Sequence, residues 1–153
     1  MRNVSGMMTS GRDDWETPDE LYKALHDEFK FGIDAAASID NAKALFYFDK
    51  EIDALSRDDW TLDGDRLPVF CNPPYGRDIN KWVEKAYNES HNGSLVIMLI
   101  PARTDTRWFH EYIYNKAEVR FIKGRLTFKG AKHNAPFPSM IVIFRPETSE
   151  PKE

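Results

Sequence analysis

The chain has 153 residues, a formal net charge of −4, 41% hydrophobic residues and one cysteine. That length suits one domain with a core of its own, the hydrophobic share excludes a disordered chain, and a lone cysteine excludes an internal disulfide and a cysteine-built zinc site. No apolar run reaches the ~18 residues of a membrane span, and the opening MRNVSGMMTSG lacks the apolar core of a signal peptide, so the expectation is a cytoplasmic protein without membrane attachment: a flexible arm over 1–12, one domain over 13–146 and a polar tail over 147–153.

Helix and strand signals alternate along the chain. Thr17-Pro18-Asp19-Glu20 reads as a helix start, with Thr17 as N-cap, Pro18 at the first helical position and Glu20 closing a capping box. Leu21, Leu25 and Phe29 follow at helical spacing, with Tyr22 beside them. Phe31 to Ala37 reads as a short strand running into small residues, and Ala44 to Phe48 as a second strand. Leu67 to Cys71 is a third. Ile79, Trp82, Val83, Ala86 and Tyr87 form the apolar face of a helix. Ser94 to Ile100 is a continuous apolar run, the pattern of a strand covered on both faces. Thr104 or Asp105 is placed as the cap of a helix carrying Phe109, Tyr112 and Ile113. Glu118 to Ile122 and Met140 to Phe144 are the last strands, and the stretch between them, Gly124 to Ser139, is too long for a tight hairpin. This alternation predicts an α/β fold with a mostly parallel sheet, helices on both faces and an antiparallel final strand. Such sheets bind ligands beyond the carboxyl ends of their strands. Two loops stand at such ends, Asp34 to Ser38 and Asn72 to Tyr75.

Asn72-Pro73-Pro74-Tyr75 carries a specific chemistry. Each proline fixes its own φ and keeps the residue before it out of the helical region. The loop therefore offers a side-chain amide oxygen from Asn72, a backbone carbonyl from Pro73 and a flat ring from Tyr75. Two acceptors and a ring suit a planar group bearing an NH₂, such as the exocyclic amine of a nucleobase. Cys71, on the strand side, reads as a small buried hydrophobe rather than a nucleophile. The four histidines are scattered, and no metal site is expected.

Charge is unevenly divided. Residues 1–100 carry 11 Lys/Arg against 19 Asp/Glu, whereas residues 101–133 carry 8 against 3, a net of +5. That basic segment is either a solvated face or a phosphate-facing surface. On the second reading Arg103 and Arg107, and the loop residues Lys123, Arg125, Lys129 and Lys132, contact phosphates, with Arg103, next to Pro101-Ala102, alternatively serving the Asn72 loop.

The sequence resembles the small phage-type DNA N6-adenine methyltransferases. The residues that carry the likeness are Trp15-Glu16-Thr17-Pro18, Asp34-Ala35-Ala36, Asp53-Ala54-Leu55, Asp59-Trp60 and Asn72 to Tyr75. Further on they are Leu99 to Thr106 with Trp108, Gly124-Arg125-Leu126 with Phe128, and Ala135 to Ser139. The resemblance spans roughly residues 13–145. It implies a Rossmann-like class I methyltransferase fold and S-adenosylmethionine as methyl donor. It also implies double-stranded DNA as partner, in a bacterial host cell, for a monomer or weak homodimer. Asn72, Pro73, Pro74 and Tyr75 are then catalytic: the target adenine is flipped out of the duplex, its N6 amine is held by Asn72 and the Pro73 carbonyl, and Tyr75 stacks on the base. For the donor, the resemblance points to Trp15, Thr17 and Pro18 at a helix start facing its carboxylate. Asp34 faces its ammonium, Ala36 permits close approach, and Asp53 or Asp59 meets its ribose or adenine. Each aspartate equally suits a turn or cap. With 37 residues between Asp34 and Asn72, there is no room for an inserted target-recognition domain. RNA adenine, cytosine N4 or protein glutamine as acceptor, and an inactive nucleic-acid-binding module, stay open.

Overall fold

The computed structural model describes residues 15–37, 42–44, 46–48 and 53–146, and the expected arm and tail lie outside them. The elements, in chain order, are α1 (Asp19–Phe29), β1 (Ile33–Asp34), β2 (Phe46–Tyr47), β3 (Val69–Cys71), α2 (Ile79–His91), β4 (Val96–Pro101), a π-helix (Phe109–Ile113), β5 (Glu118–Phe121) and β6 (Ser139–Phe144). The six strands form one mixed sheet in the order β2-β1-β3-β4-β6-β5. β2, β1, β3 and β4 are parallel, and β6 runs against both β4 and β5. All six residues of β4, VIMLIP, and all six of β6, SMIVIF, are buried. Unbroken apolar runs of this kind need cover on both faces.

Register shows where that cover comes from. Phe70, Ile97 and Ile143 are partners across β3, β4 and β6 and share one face. The Tyr22 ring of α1 stands edge-on to Phe70 at 5.2 Å, so α1 covers that face. Phe144 points the other way, and Tyr87 of α2 packs edge-on against it at 6.3 Å. The helices thus lie on opposite faces, as the sequence predicts. At the β5 edge Arg120 makes paired 2.7 Å bonds to Glu28 of α1. Charge on an edge strand discourages further strand pairing.

Three local expectations are corrected. Pro18, not Thr17, is the N-cap of α1, it is extended (ψ 138°), and no side chain caps the helix. The capping box does not form because the Thr17 hydroxyl accepts from Asn72, 55 residues away. In the segment after β4 the capping hydroxyl belongs to Thr106, not Thr104 or Asp105: Thr106 Oγ1 accepts from the Phe109 N–H at 3.2 Å and donates to the Arg103 carbonyl at 2.8 Å. The helix it opens is of π type, with the Tyr114 N–H bonded to the Phe109 carbonyl five residues back. The second strand is reduced to Phe46–Tyr47, and Leu45 is outside the described residues.

The topology gathers one edge. β1, β3 and β4 end there at Asp34, Cys71 and Pro101. The reversed β6 begins there at Ser139, and β5 ends there at Phe121. The segment 122–138 therefore lies along the same edge as Asn72. It is tied down by a 2.9 Å bond from the Lys129 N–H to the Glu16 carbonyl and a 2.7 Å bond from the Ala135 N–H to the Leu126 carbonyl.

Candidate active site

Asn72 follows the last residue of β3, with Pro73 and Pro74 holding the chain extended beyond it. Its Nδ2 donates to the Trp15 carbonyl and, at 2.9 Å, to Thr17 Oγ1. A carbonyl only accepts, so the amide must turn its NH₂ toward Trp15. Oδ1 is thereby aimed away, buried and without a partner among the described residues. No described residue donates to the Pro73 carbonyl either. Among the described residues neither of these two acceptors, adjacent along the chain, has a partner, and a buried acceptor left so costs roughly 1–3 kcal/mol. Thr17 is itself 2% exposed. Its hydroxyl orients Asn72 instead of facing outward.

Around Asn72 stands a cluster of four rings. Trp15 lies 5.3 Å from Phe128 and 5.2 Å from Phe137. Tyr75 lies 6.2 Å from Phe128 and 5.6 Å from Phe137, both edge-on. Tyr75 is only 5% exposed, and its hydroxyl donates to the Leu99 carbonyl at 3.0 Å. Burial pushes that hydroxyl well above the usual tyrosine range. The ring reserved for stacking is thus already packed, with half-buried Phe137 as its more open neighbour. Cys71 is fully buried, and burial raises its thiol well above the ordinary value, which rules against a nucleophile.

On the other side of Asn72, Asp34 ends β1. Its carboxylate accepts from the backbone N–H groups of Ala36 at 3.2 Å and Lys43 at 3.0 Å. Burial raises its pKa in spite of those bonds. Asp34 thus shapes the loop that holds Ala36 against the sheet edge. Tyr22 reaches the same place: its hydroxyl is buried without a partner among the described residues, and burial, with a smaller contribution from the Asp34 charge, lifts it to about 12. The start of α1 has no side-chain cap, so Pro18 leaves the first N–H groups of the helix to other acceptors. Asp53 stands exposed at a turn with φ 54°, its carbonyl bonded to Ser56. The Asp59 carboxylate accepts from the Thr61 hydroxyl at 2.7 Å, which lowers its pKa. Both aspartates organise the turns they sit in.

The basic residues divide in two. Arg103, Lys123, Arg125 and Lys132 are exposed, and none pairs with a described residue. Lys129 instead bonds Asp19 at 3.3 Å and lies 3.8 Å from Glu16, two carboxylates that Lys43 also meets. Arg107 lies 3.8 Å from Glu111, a long and exposed pair. Sequence reading assigned no role to Tyr22, Phe128, Phe137 or Ser139, although each stands at this edge. The signal available was that Phe128, Phe137 and Ser139 stand among the residues that carry the family resemblance, whereas Tyr22 had none beyond its place on the helix. Among the described residues no three His, Cys, Asp or Glu side chains gather as metal ligands would.

Comparison with known proteins places the sequence among relatives. A family model described as DNA N-6-adenine-methyltransferase (Dam) matches residues 4–152. A protein of Escherichia phage T1 named DNA N-6-adenine-methyltransferase is 37% identical over 118 residues, 76% of this chain and 47% of its own length. A protein of the same name from Haemophilus phage HP1 (strain HP1c1) is 27% identical over 157 residues, 96% of this chain and 87% of its own. The chain thus spans about half the length of the first relative and most of the second.

Proposed function

The chain belongs to the DNA N-6-adenine-methyltransferase (Dam) family, and from that premise we propose that it transfers a methyl group from S-adenosylmethionine to the N6 amine of a flipped-out adenine in double-stranded DNA. One observation carries the reading: the Asn72 amide is fixed by Trp15 and Thr17 so that its oxygen is left buried and, among the described residues, without a partner, one residue before the Pro73 carbonyl. No described residue donates to either acceptor, and an incoming NH₂ satisfies both at once.

The chain's own residues then act as follows. Asn72 Oδ1 and the Pro73 carbonyl accept the two N6 hydrogens. This draws electron density to the nitrogen and holds its lone pair in line for attack. Pro73 and Pro74 keep both acceptors from turning aside. Tyr75, with its plane fixed by the Leu99 carbonyl, supports the base once Phe137 gives way, and Trp15 and Phe128 wall the pocket against water. The residues on the β1 side suit the donor. The uncapped start of α1 at Pro18 suits a carboxylate. The Asp34 loop with Ala36 and the orphaned Tyr22 hydroxyl suit an amino-acid end, and Asp53 or Asp59 a ribose or adenine end. When bound, the donor supplies an electrophilic methyl on sulfur. Thr17 serves it indirectly, through Asn72. Arg103, Arg107, Lys123, Arg125 and Lys132 position the duplex by its phosphates, and Lys129 holds the 122–138 segment in place.

The strand order, with its one reversed strand, supports a Rossmann-like class I methyltransferase arrangement, and the single core cluster supports one domain over 13–146. The phage origin of the relatives supports action in the cytoplasm of a bacterial host. Incubation with labelled donor and unmethylated DNA, RNA or protein, followed by nucleoside analysis, tests the reading. N6-methyladenine in DNA is expected. Label in RNA, in N4-methylcytosine or in protein alone redirects it, and no transfer to any acceptor defeats it.

A further inference from the structure

Among the described residues three buried side-chain polar atoms have no hydrogen-bond partner: Tyr22 Oη, Asn72 Oδ1 and Ser139 Oγ. They are not scattered. Asp34, Phe70, Ile97 and Ile143 are register partners on one face of the sheet. Strand alternation turns Ser139 and Ile141 the same way as Ile143, and Leu99 the same way as Ile97. Tyr22 packs on Phe70 from above that face, and Asn72 bonds to residues at the start of the same helix. All three orphaned atoms therefore belong to one face, at one edge.

They differ in which side of Asn72 they occupy. Tyr22 stands toward β1 and Asp34, where the donor is placed. Ser139 stands toward β4 and β6, opposite Pro101 in the register. It follows Phe137 by two residues, and Leu99, whose carbonyl holds Tyr75, pairs with Ile141 of the same strand. This is the ring-lined side, where the base is placed.

We propose that Ser139 contacts the acceptor base, donating its Oγ–H to a ring nitrogen of the adenine whose N6 amine is held by Asn72 and Pro73. The assignment rests on the adenine reading above. An adenine joined to its sugar has ring nitrogens that only accept, and the surrounding rings of Tyr75, Phe128 and Phe137 have no spare donor to offer them. Ser139 is 1% exposed, so water does not readily satisfy it in solution. A buried hydroxyl without a partner burdens the fold, and a ligand that pairs with it accounts for its presence.

The test compares wild type with Ser139→Ala on synthetic duplexes carrying adenine, 1-deazaadenine, 3-deazaadenine or 7-deazaadenine throughout one strand. Wild type should lose about tenfold in kcat/KM on one of the three analogues. Ser139→Ala should lose a similar factor on adenine and nothing more on that same analogue. Its melting temperature should equal or exceed that of wild type, which a merely structural hydroxyl would not give. Equal rates of the two proteins on adenine overturn the assignment, as do losses that simply multiply on every analogue. A wild type that methylates no adenine overturns the adenine reading, and this assignment with it.

Discussion

On the proposed reading Asn72 concentrates the chemistry in one amide, and its two ends make different predictions. Asn72→Ala removes an acceptor that acts mainly in the transition state, so the rate should fall ~100-fold or more while donor binding and melting stay close to wild type. Asn72→Asp sets a carboxylate oxygen against the Trp15 carbonyl, which Nδ2 now bonds. That variant should be destabilised by roughly 1–3 kcal/mol and should recover part of the loss at acid pH, where a protonated carboxyl can donate. Thr17→Val separates the two roles written for that residue. If Thr17 orients Asn72, kcat should drop about tenfold, a loss of ~1.4 kcal/mol, with donor affinity within about twofold by calorimetry. A large loss of donor affinity at unchanged kcat would return Thr17 to the donor site. Tyr22 adds a pH signature. Its hydroxyl is raised from 10.0 to about 12, so the folded chain keeps the proton that the unfolded chain releases. Stability is unaffected below pH ~10 and falls as pH climbs toward 12. Urea midpoints at pH 9, 10 and 11 should decline less steeply for Tyr22→Phe than for wild type. Equal slopes would mean that Tyr22 ionises as freely in the folded chain as in the unfolded one.

At the scale of elements, the loop that leads from the β2 edge into β3 is pinned to α2 by one buried carboxylate. Glu89, 1% exposed, accepts from the Trp60 N–H at 2.8 Å and from Arg66 at 2.9 Å, and pairs with Lys85 at 3.1 Å. Arg66 also donates to Ser94 at 2.7 Å, just before β4. Glu89→Ala leaves the buried Trp60 N–H without its acceptor and takes the shared carboxylate from the partly exposed Arg66 and Lys85, which keep Ser94 and the Arg57 carbonyl as partners. Denaturation should therefore show a loss of roughly 1–3 kcal/mol. Glu89→Gln, which keeps an acceptor for Trp60, should lose less; equal losses would place the cost in packing alone. None of this network was legible in the sequence, because Glu89 sits among polar residues at the end of a helix and reads as solvent-facing. What was legible followed from period: the unbroken apolar runs of β4 and β6, the α2 face through Val83 and Ala86, and the proline-stiffened loop after β3. Local signals failed where a distant partner outcompeted them. Thr17 and Glu20 spell a capping box, yet Asn72 takes the Thr17 hydroxyl. Thr104 and Asp105 both suit a cap, yet Thr106 reaches the Phe109 N–H. The motif Asn-Pro-Pro-Tyr led to the proposed acceptors Asn72 and Pro73 without showing that Tyr75 would be packed against Phe128 and Phe137, with Trp15 in the same cluster.

For the whole molecule, the sheet edge and the charge pattern coincide. The basic segment 101–133 includes the loops after β4 and β5, both of which open at the edge that holds Asn72. Folding then sorts its cations in a way that composition cannot show. Arg120 is taken by Glu28 and Glu118, and Lys129 by Asp19 and Glu16. Arg103, Lys123, Arg125 and Lys132 remain exposed without a described partner. A cation already paired with a carboxylate has little left to offer a phosphate, whereas each free one that meets a phosphate releases a counterion and adds about 0.9 to the slope of log affinity against log salt. Replacing Lys123, Arg125 and Lys132 together by alanine should therefore flatten that slope by up to about 2.7 and weaken binding alike on unrelated DNA sequences, since phosphate contacts carry no sequence information. Lys129→Ala should behave differently. The slope should stay near wild type, while the 122–138 segment, released from α1, should gain amide hydrogen exchange at Phe128 and Ala135 and lose part of its grip on the rings around Asn72. DNA affinity measured across salt concentrations, with exchange followed in the same proteins, separates the two roles. A Lys129→Ala slope reduced by about 0.9 with unchanged exchange would make Lys129 a phosphate contact after all, and an unchanged slope in the triple variant would leave that loop as solvated surface.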